Sequence, residues 1–157
     1  MKLKVNDKAP EFTLNNQAGE AISLKDFKGK NSVLLYFYPK AMTPGCTVQA
    51  CSLRDIQKEL KKRKITVLGV SIDSSARLKK FEEKEELNFN LLSDEDHKVC
   101  ELYGVWGKKQ NYGKEYMGIL RTSFLIGTDG KIKHIFEKVN TKTHHDAVIS
   151  FYDENSK

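Results

Sequence analysis

Apolar residues fill positions 33–38 without a break, and the run stops at Pro39. Because its six residues are β-branched, aromatic or leucine, the run predicts a buried strand. Beyond this run the spacing of the apolar residues changes. They recur at three- and four-residue steps from Cys46 to Leu60, as on one face of a helix. We therefore predict a strand followed by a helix that runs to about Lys62.

The start of this helix carries residue types that favour helix initiation. The Thr43 hydroxyl suits an N-cap, and Pro44 suits the first helical position, where no backbone N–H is needed. Cys46 then falls in the first turn, where the N–H groups have no intrahelical partner and the helix dipole is positive. This setting favours the thiolate, which is the nucleophilic form of cysteine.

The rest of the pattern alternates strands and helices. Residues 65–72 are apolar on both faces, which predicts a central parallel strand and a right-handed strand–helix–strand unit. Further predicted segments are short strands at 12–14 and 21–24, a helix to about 87 capped by Asp73, Ser74 or Ser75, a strand at 89–92, a helix from 95 to about 103, a hairpin over 122–138 and a final helix to 152. Residues 104–118 predict a weakly structured loop, and 153–157 are expected to fray.

The formal net charge of +6 raises the question of an anionic partner, because basic proteins often bind nucleic acid. The arrangement of the charges argues against such a partner. Residues 61–64 are all basic but lie at a predicted helix C-terminus, where the dipole favours cations, and residues 79–86 mix lysine with glutamate. We therefore predict a solvated basic surface and no nucleic-acid partner.

Length and cysteine content narrow the class of protein further. A chain of 157 residues with 39% hydrophobic residues suits one globular domain, which we predict over residues 1–157. Three cysteines argue against a disulfide framework and for a reducing compartment. No signal-peptide pattern opens the sequence, and no apolar run is long enough to cross a bilayer. We expect a cytoplasmic protein without membrane contact.

The spacing of two cysteines is the strongest chemical signal. Cys51 lies five residues after Cys46, which separates their Cα atoms by ~8–9 Å in an intact helix. A disulfide needs these atoms closer than about 7 Å, so the pair can bridge only if the helix unwinds locally. A first-turn cysteine with a second one out of reach suggests a nucleophile and a resolving partner.

These residues carry a resemblance to a known family. Pro39, Thr43 and Cys46 match the Pro-x-x-x-Thr-x-x-Cys signature of peroxiredoxins, and the following x4-Cys51 spacing resembles the Q-type, or bacterioferritin comigratory protein, subfamily. The likeness runs roughly from residue 8 to residue 152. Its further blocks are Ala9-Pro10-Glu11-Phe12, residues 24–30, Leu91-Leu92-Ser93-Asp94 and residues 121–126.

The resemblance implies a fold and a set of roles. The fold is α/β and thioredoxin-like, a central mixed sheet flanked by helices, with an N-terminal extension and an inserted helix. Cys46 would be the peroxidatic nucleophile and Cys51 the resolving cysteine. Thr43 and Arg121 would orient the peroxide, the guanidinium also attracting the thiolate, and the Pro39 ring would shield the pocket.

The implied function is a thiol-dependent peroxidase for hydrogen peroxide and organic hydroperoxides. Cys46 would become a sulfenic acid, Cys51 would convert it to an intramolecular disulfide, and a thioredoxin-like dithiol reductant would restore both thiols. No metal, haem, flavin or other cofactor is implied, and we expect a monomer.

Two other functions are conceivable for the same residues, and each predicts a motif that the sequence lacks. A thiol–disulfide oxidoreductase would carry Cys-x-x-Cys rather than Cys-x4-Cys, and a basic nucleic-acid module would carry an aromatic-plus-basic motif. A metal site built from His97, Cys100 and Cys46 lacks zinc-ligand spacing. Cys100 is predicted to be a buried structural thiol, and His144, His145 and Trp106 are predicted to be surface and packing residues.

Overall fold

The structure, a computed structural model, describes residues 3–155. Its strands are β1 Thr13–Asn16, β2 Ala21–Ser23, β3 Ser32–Phe37, β4 Ile65–Ser71, β5 Asn90–Ser93, β6 Trp106–Asn111, β7 Lys114–Ile119, β8 Thr122–Ile126 and β9 Ile132–Phe136. Its helices are α1 Pro44–Asp55, α2 Gln57–Lys62, α3 Ser75–Glu85, α4 Lys98–Leu102 and α5 His144–Asn155, with a 3-10 turn at Leu24–Phe27. Within the described residues no helix is long and apolar enough to cross a bilayer.

Seven strands form one mixed sheet in the order β2-β1-β5-β4-β3-β8-β9. The three central strands β5, β4 and β3 are parallel, and the outer strands run antiparallel to their neighbours. The predicted central position of β4 is confirmed, because it lies between β3 and β5. Gly69 in this strand is required by a close approach, since a Cβ there would lie 2.8 Å from the Tyr36 ring.

The side chains of β3 alternate between two cores, one on each face of the sheet. Leu34 and Tyr36 pack with residues of α1, α2, α3 and α5. Leu35 and Phe37 pack on the opposite face with residues of the 3-10 turn and α4. Cys46 belongs to the first core and Cys100 to the second. The sheet therefore separates these two cysteines.

The predicted single helix up to Lys62 is wrong in one respect, because it breaks at Ile56. Ile56 leaves helical geometry with φ −104° and ψ 16°, and its N–H bonds to the Arg54 carbonyl. The side-chain amide of Gln57 donates to the Leu53 carbonyl at 3.2 Å, which gives that buried oxygen a partner. The buried face nevertheless continues from α1 to Leu60 on α2.

Three further predictions need correction. The helix predicted from residue 95 starts only at Lys98, because the Asp94 carboxylate accepts from the N–H groups of Val99 and Cys100 at 3.3 and 2.8 Å. The final helix extends to Asn155, so of the residues predicted to fray, 153–155 are helical and 156–157 lie outside the described part.

The loop predicted at 104–118 is instead an antiparallel hairpin of β6 and β7. Tyr112 and Gly113 join its strands with φ values of 52° and 76°, the combination that a two-residue hairpin turn requires. The side chains of β7 are mostly exposed. Without a buried face the hairpin lacks the alternation of apolar and polar residues by which a strand is recognised in a sequence.

Candidate active site

The loop between β3 and α1 is held by a buried carboxylate. Asp73 accepts from the Ala41 N–H and from the Ser71 hydroxyl, both at 2.8 Å. Arg77 donates to the Ala41 carbonyl at 3.0 Å. Met42 then adopts φ 66°, a left-handed conformation rare for a residue with a side chain. These contacts set the direction in which the chain enters α1.

Thr43 occupies the N-cap position, with φ −89° and ψ 155°, and Pro44 begins the helix as predicted. The predicted capping by the threonine hydroxyl is wrong, because this hydroxyl donates to the Lys40 carbonyl at 2.8 Å and accepts no bond from the helix. Thr43 therefore closes the loop before the helix. Its predicted contact with peroxide, and the predicted shielding by half-buried Pro39, stay predictions.

Cys46 is the third residue of α1, and only 1% of its surface is exposed. Arg121, the residue before β8, donates from Nη2 to the Cys46 sulfur at 3.3 Å. A Cβ on Gly45 would lie 3.6 Å from the same Nη2, so the guanidinium rests directly on the first turn of the helix. The structure thus brings together two predicted site residues that are 75 positions apart.

The contacts of Arg121 continue to two residues that the sequence analysis did not identify. Arg121 Nη1 donates to Gln49 Oε1 at 2.7 Å, and Gln49 Nε2 lies 3.3 Å from His144 Nδ1. Gln49 is 1% and His144 3% exposed, so the predicted surface position of His144 is wrong. Gln49 follows Cys46 by three residues, a spacing that places both side chains on one helix face and could have identified it.

Burial lowers the pKa of His144 to about 4, and the positive charges of His145 and Arg121 act in the same direction. Its imidazole is therefore neutral above that pH. Two aromatic rings also pack against His144: the ring centroids of Tyr36 and Phe136 lie 6.2 and 5.9 Å from that of the imidazole. Neither ring brings a charge to the site.

This low pKa predicts a loss of stability in acid. A histidine in the unfolded chain becomes protonated near pH 6.5, whereas the pKa of His144 in the folded protein is about 4. Between pH 6.5 and 4 the unfolded chain binds this proton and the folded protein does not, so the free energy of unfolding falls by about 3 kcal/mol as the pH is lowered. Above pH 6.5 this group does not affect the free energy of unfolding. Urea unfolding at pH 7 and pH 4.5 should show a smaller acid loss for His144→Asn than for the unmodified protein. Equal losses in both proteins would contradict the assignment.

Cys51 points away from Cys46, toward α3. Its thiol donates to Glu85 Oε1 at 3.6 Å, and Arg54 Nη1 donates to the Glu85 backbone carbonyl at 2.6 Å. Burial raises the pKa of Cys51, and the Glu85 carboxylate adds to this effect while Arg54 opposes it. Both cysteines are free thiols in this fully folded state.

Cys100 is fully buried in the opposite core, as predicted. Burial and the adjacent Asp94 carboxylate raise the pKa of its thiol far above the ordinary range, which makes it a poor nucleophile. Across residues 3–155 no three histidine, cysteine or acidic side chains cluster as metal ligands. Trp106 stacks on His97, with ring centroids 4.2 Å apart.

A cavity of about 490 Å³ lies beside Arg121 on the face of the sheet away from Cys46. Lys109 and Arg121 line it together with apolar residues such as Val105 and Phe124. Burial lowers the pKa of Lys109, and the charge of Arg121 lowers it further. Cys46 does not line this cavity.

Comparison with known proteins bears on this site. A sequence model of the AhpC/TSA family matches residues 5–135 of the chain. Peroxiredoxin Bcp of Escherichia coli K12 is 58% identical over 154 residues, and the match covers 98% of both chains. Peroxiredoxin Bcp of Bacillus subtilis is 45% identical over 144 residues, covering 92% of this chain and 91% of its own.

Solved structures are similar over nearly the whole chain. Bacterioferritin comigratory protein of Xanthomonas campestris, described for its alkyl peroxide reduction activity, has a TM-score of 0.87 at 32% identity and covers 93% of this chain and 92% of its own. A cysteine mutant of Xylella fastidiosa PrxQ has a TM-score of 0.94 at 27% identity and covers 100% of this chain and 99% of its own. These likenesses confirm the predicted thioredoxin-like α/β fold.

Proposed function

Because the chain belongs to the AhpC/TSA family and is a peroxiredoxin, a thiol-dependent peroxidase, we propose that Cys46 is its peroxidatic nucleophile and Cys51 its resolving cysteine. Thr43, Arg121 and Pro39 complete the peroxide site. The observation that carries this proposal is the 3.3 Å contact between Arg121 Nη2 and the Cys46 sulfur at the positive end of α1.

The first step is attack of the Cys46 thiolate on the terminal oxygen of the peroxide, the one that carries the hydrogen. The S–O bond forms as the O–O bond breaks, sulfur loses two electrons, and the departing alkoxide or hydroxide takes up a proton to leave as alcohol or water. Arg121 holds donors at the reacting atoms, and the free N–H groups of the first turn favour the negative charge. The product on the protein is a sulfenic acid at Cys46.

The second step joins Cys46 to Cys51. The Cys51 thiol condenses with the sulfenic acid, which forms the disulfide and releases one water. In the folded helix the two Cα atoms are ~8–9 Å apart, too far for a disulfide. The first turns of α1 must therefore open, and the contact of the Cys51 thiol with Glu85 must break.

A thioredoxin-like dithiol reductant completes the cycle. It supplies two thiols, becomes a disulfide itself and restores Cys46 and Cys51 by thiol–disulfide exchange. Peroxide and thiols balance every step, so no resident cofactor is proposed. We propose a cytoplasmic monomer without a nucleic-acid partner. The named activity of the Xanthomonas relative supports organic hydroperoxides as substrates beside hydrogen peroxide.

Replacement of Cys51 tests the assignment of the resolving cysteine. Cys51→Ser should still consume one equivalent of peroxide but then accumulate sulfenic acid at Cys46, because no neighbouring thiol condenses with it. Trapping with dimedone, which reacts with sulfenic acids, followed by mass spectrometry measures this species, and turnover with a thioredoxin system should fall at least about tenfold. Cys100→Ser is the matched control and should turn over normally, since that thiol lies in the other core. The reverse pattern would make Cys100 the resolving residue.

Oxidation should also change the dynamics of α1. Each backbone hydrogen bond broken on opening costs about 1 kcal/mol, so the disulfide holds residues 45–53 in a state that the reduced protein rarely visits. Amide hydrogen exchange in 47–53 should be faster in the disulfide form, while β3 stays protected. Equal protection of 47–53 in both redox states would refute the proposed opening.

A further inference from the structure

A chain of side-chain contacts joins the start of α5 to the reactive sulfur. It runs from His144 Nδ1 to Gln49 Nε2, from Gln49 Oε1 to Arg121 Nη1, and from Arg121 Nη2 to Cys46 Sγ. We propose that His144 is a positioning residue for peroxide reduction, which orients the Gln49 amide so that Arg121 is held on Cys46. This inference rests on the proposed role of Cys46 and extends it to the C-terminal helix.

The donor and acceptor inventory assigns each atom its role. A guanidinium has only donors, so Gln49 must turn its oxygen to Arg121. Its NH2 group then faces His144 in a buried site, where an unmet donor is unfavourable. The imidazole satisfies it by accepting at Nδ1, which places the ring proton on Nε2, a buried atom without a hydrogen-bond partner among the described residues. If the Gln49 amide were flipped, its NH2 group would face the N–H donors of Arg121 and no hydrogen bond would form between the two side chains.

The surroundings of His144 maintain the neutral form that this role needs. Arg121 faces it from the start of β8, and His145 lies next to it on α5. Gln49 on α1, Tyr36 on β3 and Phe136 on β9 bring no charge. A protonated His144 would donate at Nδ1, lose its bond from Gln49 and repel Arg121.

The position of His144 is itself determined by a turn ahead of α5. The His144 N–H donates to the Asn140 carbonyl at 2.9 Å, and the Lys142 N–H donates to Asn140 Oδ1 at 2.9 Å. Thr141 in this turn also approaches the first turn of α1, since a Cβ on Gly45 would lie 3.8 Å from its methyl group. Arg121, which contacts both Cys46 and Gln49, has few alternative conformers to lose when it meets the peroxide, which speeds the reaction.

Four variants separate this role from a merely structural one. His144→Leu removes the acceptor, whereas His144→Asn keeps a neutral acceptor near the position of Nδ1. Gln49→Leu and the double variant Gln49→Leu/His144→Leu complete a double-mutant cycle. His145→Leu is the matched control, one residue away on the same helix. The measurement is the second-order rate constant for loss of reduced Cys46 with hydrogen peroxide, from rapid quench, alkylation and mass spectrometry at pH 7.

We expect His144→Leu to slow Cys46 oxidation about tenfold, the effect of one lost buried hydrogen bond on a positioned group. His144→Asn should restore most of the rate, and His145→Leu should match the unmodified protein. In the Gln49→Leu background, His144→Leu should have no further effect. A folded His144→Leu protein with the unmodified rate, or an equal effect of His144→Leu in both backgrounds, would overturn the proposal.

A second measurement decides the matter if His144→Leu fails to fold. The ¹⁵N chemical shifts of His144 in the unmodified protein at pH 7 should show an unprotonated Nδ1 and a protonated Nε2, and a proton on Nδ1 would overturn the proposal. The proposed function is tested separately, by the rate of Cys46 oxidation in the unmodified protein. Slow oxidation there would contradict the proposed function, whatever the rates of the variants.

Discussion

Cys46→Ser will abolish peroxide reduction while the protein stays folded. A serine hydroxyl does not ionise near neutral pH and cannot accept an oxygen atom from a peroxide as a sulfenic acid does. The remaining thiols cannot substitute, because burial raises the pKa of both Cys51 and Cys100 and neither lies beside Arg121. We expect turnover to fall to the level of the uncatalysed reaction.

The measurement for Cys46→Ser is consumption of hydrogen peroxide with a thioredoxin system in excess. Oxygen and sulfur are close in size, so the 1% exposed site should accept serine, and circular dichroism with urea unfolding will confirm the fold. Turnover above a few per cent of the unmodified rate would show that another cysteine is the nucleophile. It would also remove the premise on which the role of His144 rests.

Arg121→Met should give the second largest effect. Methionine keeps much of the length and apolar volume of arginine but loses both the Nη2 contact with Cys46 and the Nη1 contact with Gln49. The variant therefore lacks the positive charge beside the thiolate and the donors that stabilise the departing oxygen. We expect the rate of Cys46 oxidation to fall on the order of 100- to 1000-fold, as when a donor to a developing oxyanion is removed.

A matched series shows which property of Arg121 matters. Arg121→Lys keeps the charge but has a single nitrogen, which cannot span Cys46 and Gln49 together, and should lie between arginine and methionine. Arg63→Met is the control, because Arg63 pairs with Asp153 on the surface. Cys46 in this variant should be oxidised at the unmodified rate. Oxidation of Arg121→Met at the unmodified rate would show that the guanidinium plays no part in the chemical step.

Local features of the chain were predictable because they depend on nearby residues. The apolar run of β3, the threonine and proline at the start of α1, and the periodicity behind Cys46 are each contained in a short window. The same holds for the central strand β4 and for the start of α3, where Ser74, one of three adjacent candidates, is the cap and its hydroxyl accepts from the Arg77 N–H at 3.2 Å. For the positions of these elements the structure agrees with the sequence, although the Thr43 hydroxyl does not cap α1.

Errors arose where a polar side chain bonded to a backbone group that residue type alone does not specify. Asp94 delays the start of α4 by capping its N–H groups, and the Thr43 hydroxyl donates to the loop instead of capping α1. The sequence of the β6–β7 hairpin shows no alternation of apolar and polar residues. The side chains of β7 are mostly exposed, and burial then does not constrain which positions are apolar.

The sequence by itself determined that Cys46 lies in the first turn of a helix, that Cys51 lies beyond disulfide reach on the same helix, and that Arg121 precedes a strand. Only the tertiary structure decided that Arg121 reaches Cys46 across 75 positions, and that Gln49 and His144 hold it there. The physical reason is that hydrophobic periodicity reports which face of an element is buried, whereas the pairing of buried polar groups depends on which elements meet. A glutamine and a histidine carry no such period, so their partners emerge only when α1, α5 and the start of β8 converge.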